Sequence, residues 1–257
     1  HGGVSQVQRA QMVTQEGNNV AVCAVYGNFD DAQTGVKNIF AACADGKLLE
    51  GKGIELSSAN SINIGRLAPQ VMYYFRSYRD LLDAGKIQLG DEVNFSVPTG
   101  NFGDILAGYL AKLLGLPVGK LICASNANNV LTDFIRTGTY DRNRDFYTTL
   151  SPSMDILISS NLERLLFTVS QNDELVSDLM KQLFSEGSYQ VDDAIISSIR
   201  EDFRSGCCDD TETKDMIRKS YQDEDYLIDT HTAVAFRVLE QYRTENATVP
   251  TVVLSTA

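Results

Sequence analysis

The sequence predicts an α/β fold of three layers, αβα, with parallel-rich sheets. Three observations point to it. Short β-rich apolar runs alternate with longer amphipathic ones along the chain. One of those runs, 20–26 (Val-Ala-Val-Cys-Ala-Val-Tyr), is apolar almost throughout, as strands covered on both faces are. A glycine-rich turn at 98–103 then leads from a strand-like run directly into a helical one. Such alternation implies crossover connections, because parallel neighbours cannot be joined by a hairpin.

Taken in order, 5–15 has helical spacing, with Val4, Val7, Ala10 and Met12 on one side, and 20–26 is the first strand. Helical periodicity returns over 30–44 through Ala32, Val36, Ile39 and Phe40. The run 92–97 is a second strand and 105–114 its helix; 121–124 is a third strand, followed by a helix over 130–135. From 155 to 242 the pattern is mostly helical and acidic, with one Gly-Cys-Cys interruption near 206. Residues 249–254 read as strand again, so the chain stops just after entering a sheet, and it starts on His-Gly-Gly without Met. Both ends are expected to be cuts through a larger protein.

A chain of 257 residues can bury a large core in one domain, or in one domain plus part of another. No apolar run approaches the roughly 18 residues of a membrane span, and no secretory signal opens the chain. A soluble, cytoplasmic protein is expected. The net charge of −12 argues against nucleic acid as a partner, since phosphate backbones are bound by clustered Lys and Arg. The acidic runs at Glu201-Asp202, Asp209-Asp210 and Asp223-Glu224-Asp225 read as a solvated face. Five cysteines, odd in number and without C-x-x-C spacing, support neither a disulfide scaffold nor a zinc site, and no metal is expected. Cys23 and Cys123 sit in strand-like runs and read as small core residues.

Only two histidines are present, His1 and His231, so a catalytic triad or a multi-histidine site would rest on His231 alone. His231 follows Asp229 and Thr230, both suited to capping, and reads as a helix-entry packing residue. Hard chemistry, if this is an enzyme, then belongs to a cofactor.

The sharpest candidate is the turn Pro98-Thr99-Gly100-Asn101-Phe102-Gly103, with Asp104 opening the helix beyond it. Free N–H groups and the positive end of the helix dipole favour an anion at such a start. Gly100 and Gly103 are expected to take positive φ and let the backbone approach an oxygen closely. Gly27-Asn28-Phe29 repeats the tripeptide, but Asp30 and Asp31 follow and would occupy the helix end themselves. Asp104 must point away from the turn if the turn binds phosphate. The pattern is neither of the two common nucleotide-binding glycine motifs. Spacing alone leaves two readings open, a bound phosphate and an ordinary strand-to-helix turn.

Several segments together resemble threonine synthase, of the longer class found in many bacteria and in fungi. They are Gly3-Val4-Ser5, Gly27-Asn28-Phe29-Asp30-Asp31-Ala32, Ser58-Ala59-Asn60-Ser61-Ile62-Asn63-Ile64-Gly65-Arg66, Val97-Pro98-Thr99-Gly100-Asn101-Phe102-Gly103-Asp104, Leu150-Ser151-Pro152-Ser153-Met154-Asp155 and Leu254-Ser255-Thr256-Ala257. They run in family order across essentially the whole chain.

The resemblance implies part of a pyridoxal-phosphate-dependent enzyme of fold type II, similar to the tryptophan synthase β-subunit. It implies conversion of O-phosphohomoserine and water to threonine and phosphate by β,γ-replacement. Gly100, Asn101, Phe102 and Gly103 would hold the cofactor phosphate. Thr256, with Ser255 as the fallback, would lie near the pyridine nitrogen. Asn60, Ser61 and Arg66 would hold the substrate phosphate, although 60–63 also suits a plain helix cap. Asp104 is usual in this class. Residues 1–57 would close the lysine-bearing domain, and 58–257 would form the larger cofactor-phosphate domain, truncated at its C-terminus. The family's Schiff-base lysine would precede His1; Lys37, Lys47, Lys52, Lys112 and Lys120 do not match its motif, so this chain alone is expected to be inactive. Two alternatives stand beside this one: a related phospho-lyase, and a fragment that binds phosphate or pyridoxal phosphate without turnover.

Overall fold

The computed structural model describes residues 6–14, 16–27, 29–43, 47–53, 55–57, 63–243 and 248–255. The chain divides into two units, His1–Ser58 and Ala59–Ala257. In the first, α1 spans Gln6–Val13 and α2 spans Phe29–Ala42. Residues 20–26, expected as a buried strand, form no ladder and lie exposed, and so does Cys23, expected in a core. A strand exists only when neighbouring backbone groups pair with it, and the described residues of this unit offer none.

The second unit opens with α3 (Ile64–Leu67), a 3₁₀ turn (Ala68–Gln70) and α4 (Val71–Asp83). Then come β1 (Val93–Pro98), α5 (Gly103–Leu113), β2 (Val118–Ser125), α6 (Val130–Thr137) and β3 (Thr139–Asp141). The chain continues through α7 (Leu162–Ser170), α8 (Asp173–Ser185), β4 (Ser188–Gln190), α9 (Asp193–Asp202) and β5 (Phe203–Cys207). It finishes with α10 (Asp210–Glu224), α11 (Thr230–Arg243) and β6 (Thr251–Val253). Among the described residues, β5-β2-β1-β6 form a parallel sheet, and β3 and β4 a separate antiparallel pair.

Three layers follow from the period-2 alternation of β1 and β2. Val93, Phe95, Val97, Leu121 and Cys123 join a large apolar cluster with residues of α4, α5 and α6. Ile122 and Ala124, pointing the other way, pack with Val234, Ala235, Val238 and Leu239 of α11. Ser96 also faces α11 and donates to Ala235 O at 2.8 Å, which satisfies a polar group that would otherwise be costly to bury. Cys123 is buried as expected, and burial pushes its thiol up to about 12, so it is no nucleophile.

Two strands, β4 and β5, lie where the acidic helical stretch was expected. Gly206 and Cys207 of the Gly-Cys-Cys interruption belong to β5, an edge strand paired with β2 from Leu121↔Phe203 to Ser125↔Cys207. Its glycine lets α11 approach: a Cβ on Gly206 would stand 2.7 Å from Val238 Cγ1. Among the described residues, no helix is long and apolar enough to cross a membrane.

Candidate functional site

Open α/β sheets place ligands beyond the carboxyl ends of their strands. Here that edge gathers the segments that follow β1, β2 and β6. Past Pro98, Thr99 closes the ladder by donating its N–H to Ala124 O (2.8 Å) and its hydroxyl to Val97 O (2.7 Å). Gly100 then lies against the 151–155 loop, where a Cβ would stand 2.7 Å from Ser153 O and 3.2 Å from Met154 Cα. The glycine is required by this close approach and not by its φ.

The expected positive φ at Gly100 and Gly103 is not found; the left-handed residue is Phe102, at φ 61 and ψ 12. That conformation costs a non-glycine residue about 1 kcal/mol. Burial of the Phe102 ring, 5.6 Å from that of Phe203, offsets it. Phe102 occupies the N-cap position of α5 and supplies no side-chain hydrogen bond there. The first-turn N–H groups of this helix, which have no intrahelical acceptors, are therefore left without a side-chain cap from Phe102. Asn101 Oδ1 is buried with no partner among the described residues.

Three successive carbonyls of the turn, those of Gly100, Asn101 and Phe102, are occupied. Gly100 O accepts from Ser159 Oγ at 2.9 Å. Asn101 O accepts from Asn161 N at 3.1 Å and Asn161 Nδ2 at 2.9 Å. Phe102 O accepts from Leu106 N at 3.2 Å.

Asp104 turns toward α4. Tyr74 Oη donates to Asp104 O at 2.8 Å and lies 3.3 Å from Asp104 Oδ1. Burial raises the Asp104 pKa to about 6, against the opposing effect of the Tyr74 hydrogen bond. Burial and the neighbouring carboxylate raise the Tyr74 phenol well above its ordinary value. Tyr74 reaches Asp104 because Gly108, one turn on along α5, leaves room for its ring; a Cβ there would stand 2.5 Å from Tyr74 Cε1. Asp104, Gln70, Tyr73, Leu254 and Ser255 line a cleft of about 350 Å³.

The 147–155 segment is fastened to the end of β2 through buried Asp155. Its Oδ1 accepts from Asn126 Nδ2 (2.8 Å), Asn128 Nδ2 (3.0 Å) and Thr149 Oγ1 (2.7 Å), and its Oδ2 from Thr149 N (2.9 Å). From the other side, Ser153 N donates to His231 Nε2 at 3.2 Å, which puts the imidazole proton on Nδ1. Asp229 Oδ1 caps α11 by accepting from His231 N (2.7 Å) and Thr232 N (3.1 Å). His231 is thus the helix-entry residue expected, with a second task of holding the loop behind Gly100.

Of the remaining expected site residues, Arg66 and Ser255 fall among the described ones. Arg66 is exposed on α3, whose N-cap Asn63 accepts from Gly65 N at 2.9 Å. Ser255 Oγ lies 3.2 Å from Thr232 Oγ1 at the start of α11. Asn60, Ser61 and Thr256 lie outside the described residues. Lys112, near the far end of α5 from the turn, pairs with Asp202 at 2.7 Å, and Lys120 reaches Glu201 O. Eight residues of helix rise, about 12 Å, separate Lys112 from Asp104. At Gly27, a Cβ would stand 2.5 Å from Asp31 Oδ2, so the carboxylate lies over that helix start, unlike the arrangement at Gly100.

Sequence reading missed Ser159, Asn161, Asp155 and Tyr74 as parts of this site. Ser159-Ser160-Asn161 ahead of an apolar run is a turn-and-cap signal that marked the break in the helical stretch.

A four-stranded parallel sheet between helical layers, with this turn at its carboxyl edge, has the architecture of the fold type II pyridoxal-phosphate-dependent enzymes. Within that class the chain is similar to threonine synthases. A solved structure of pyridoxal-phosphate-bound threonine synthase from Brucella melitensis superposes with a TM-score of 0.85 at 40% identity, over 99% of this chain and 52% of that one. Threonine synthase of Pseudomonas aeruginosa is 42% identical over 100% of this chain and 52% of its own length. Threonine synthase-like 1 of Homo sapiens is 44% identical over 99% of this chain and 34% of its own. The chain therefore spans between a third and about half of these relatives. No family model matches it.

Proposed function

We propose that the protein this chain represents is a threonine synthase, converting O-phosphohomoserine and water to threonine and inorganic phosphate. The observation that carries the reading is the turn after β1: its carbonyls are bonded behind it, and the helix it starts has no side-chain cap from Phe102. This stands in a chain 42% identical along its whole length to a threonine synthase.

The residues present fit a cofactor phosphate. Gly100, Asn101, Phe102 and Gly103 would hold it, with the α5 dipole favouring the dianion. The uncommitted Asn101 amide supports this assignment, since a half-turn of its side chain exchanges the buried acceptor for a donor. When bound, pyridoxal phosphate supplies the electron sink that β,γ-replacement needs. The chain's own work is narrower. Gly100 seats the turn against Ser153, and Tyr74 keeps the Asp104 carboxyl on the α4 side. Asn60, Ser61 and Arg66 are assigned to the substrate phosphate, for which the Arg66 guanidinium offers a planar fork. Thr256, with Ser255 as fallback, is assigned to the pyridine nitrogen; a neutral hydroxyl there restrains full positive charge on the ring and favours elimination and replacement. Residues 1–57 are assigned to the lysine-bearing domain and 58–257 to the larger one.

A second reading stands beside it, a related phospho-lyase acting on γ-phosphorylated substrates, because the chain is also 44% identical to a protein named only as threonine synthase-like. The full polypeptide carrying this chain, given pyridoxal phosphate and O-phosphohomoserine, distinguishes the two. Threonine with released phosphate supports the first, a 2-oxo acid with released phosphate supports the second, and no phosphate release sinks both.

A further inference from the structure

Asn161 sits at the N-cap of α7, a position where asparagine ordinarily accepts a hydrogen bond from its own helix. It makes no such bond. Instead Arg164 Nη1 donates to Asn161 Oδ1 at 2.6 Å, which fixes the amide so that Nδ2 faces Asn101 O. Asn161 is fully buried, and its own N–H reaches the same carbonyl. Two residues earlier, buried Ser159 donates its hydroxyl to Gly100 O, while its N–H donates to Tyr140 Oη at 2.8 Å. One short segment thus directs three donors at two successive carbonyls of the turn.

In a trans peptide the C=O and the N–H of the next residue point in opposite directions. Fixing Gly100 O therefore fixes the N–H of Asn101, and fixing Asn101 O fixes that of Phe102. The Leu106 bond to Phe102 O does the same for Gly103. Phe102 is left-handed and Gly103 is helical, a pairing that makes consecutive N–H groups converge into an anion-binding nest.

We propose that Ser159 and Asn161 are positioning residues for this turn: they hold its carbonyls back so that the N–H groups of Asn101, Phe102 and Gly103 converge on a phosphate. The assignment rests on reading the turn as a phosphate site, and it adds the residues that determine how strongly the turn binds. Asn161 gives up its helix cap to do this, which a residue serving α7 alone would not.

The test is Asn161→Asp beside Ser159→Ala and Ser159→Thr. Aspartate keeps the shape, suits a helix N-cap and strengthens the Arg164 contact, but it cannot donate to Asn101 O. Inorganic phosphate and pyridoxal phosphate are titrated into the protein, followed by phosphorus NMR and by the amide resonances of 101–103. Asn161→Asp is expected to weaken phosphate binding about tenfold or more and, because its carboxylate is buried against Asn101 O, also to lower the thermal unfolding midpoint, so the uncharged Ser159→Ala is read beside it. Ser159→Ala, which adds no charge, is expected to weaken it several-fold, and Ser159→Thr to restore it. Unchanged phosphate affinity in both Asn161→Asp and Ser159→Ala overturns the proposal while leaving the phosphate site standing. No response of the 101–103 amides to phosphate in the unsubstituted protein overturns the phosphate site itself, and the proposal with it.

Discussion

Replacing Asp104 by asparagine is expected to stabilise the protein at neutral pH and to matter progressively less in acid. The carboxyl is held at a pKa of about 6, against an ordinary 3.8, because burial beside α4 disfavours its charge. A gap of about two units is worth roughly 3 kcal/mol. Since the folded-state value lies above the unfolded one, the native state binds more protons between those values. Stability contributed by this group is therefore present in acid and falls as pH rises through about 4 to 6. Asparagine removes the charge and keeps an oxygen to accept from Tyr74. Urea unfolding of both proteins should give a difference of about 1 kcal/mol at pH 4.5 and about 3 kcal/mol at pH 7.5, with asparagine the more stable. A difference that does not change with pH, or one that favours aspartate at pH 7.5, refutes the burial account of Asp104.

Three further substitutions probe the packing behind the turn. Gly100→Ala drives a methyl against Ser153 O and is expected to cost about 1–3 kcal/mol in thermal unfolding and to weaken phosphate binding. Gly108→Ala improves helix propensity by about 1 kcal/mol, yet should be net destabilising because its Cβ meets Tyr74 and Leu121; unfolding in urea checks the sign. Asp155→Ala strands the Thr149 N–H and takes one acceptor each from Asn126 and Asn128, whose amides keep Ser151 and Tyr147 O, and should cost about 1–3 kcal/mol by the same measure.

Much of the second unit was legible in the sequence, for a local reason. The runs 92–97 and 121–124 and the helices that follow them carry their periodicity and turn chemistry within a few residues, and β1, α5, β2 and α6 lie on them. The segment 20–26 was not legible, because apolar composition does not say whether a neighbouring strand is there to pair with. Nor was β5: five residues interrupted by Gly206 give too short a pattern, and the strand exists because β2 and α11 hold it. The site divides the same way. Gly100 to Gly103 announced themselves by composition, whereas Ser159 and Asn161 lie some 60 residues on and meet them only in space.

The sequence alone determined that a glycine-rich turn joins a strand to a helix start, and that its motifs run in the order found in threonine synthases. Those are properties of adjacent residues. Only the tertiary structure decided which residue takes the left-handed conformation, Phe102 and not a glycine, because that depends on the pocket beside Phe203 that receives its ring. Only it decided that Asp104 turns to Tyr74, since Gly108 must first make room. It also decided which way the turn's amides face. Peptide orientation is set by what bonds the carbonyls, and here those donors arrive from a distant part of the chain.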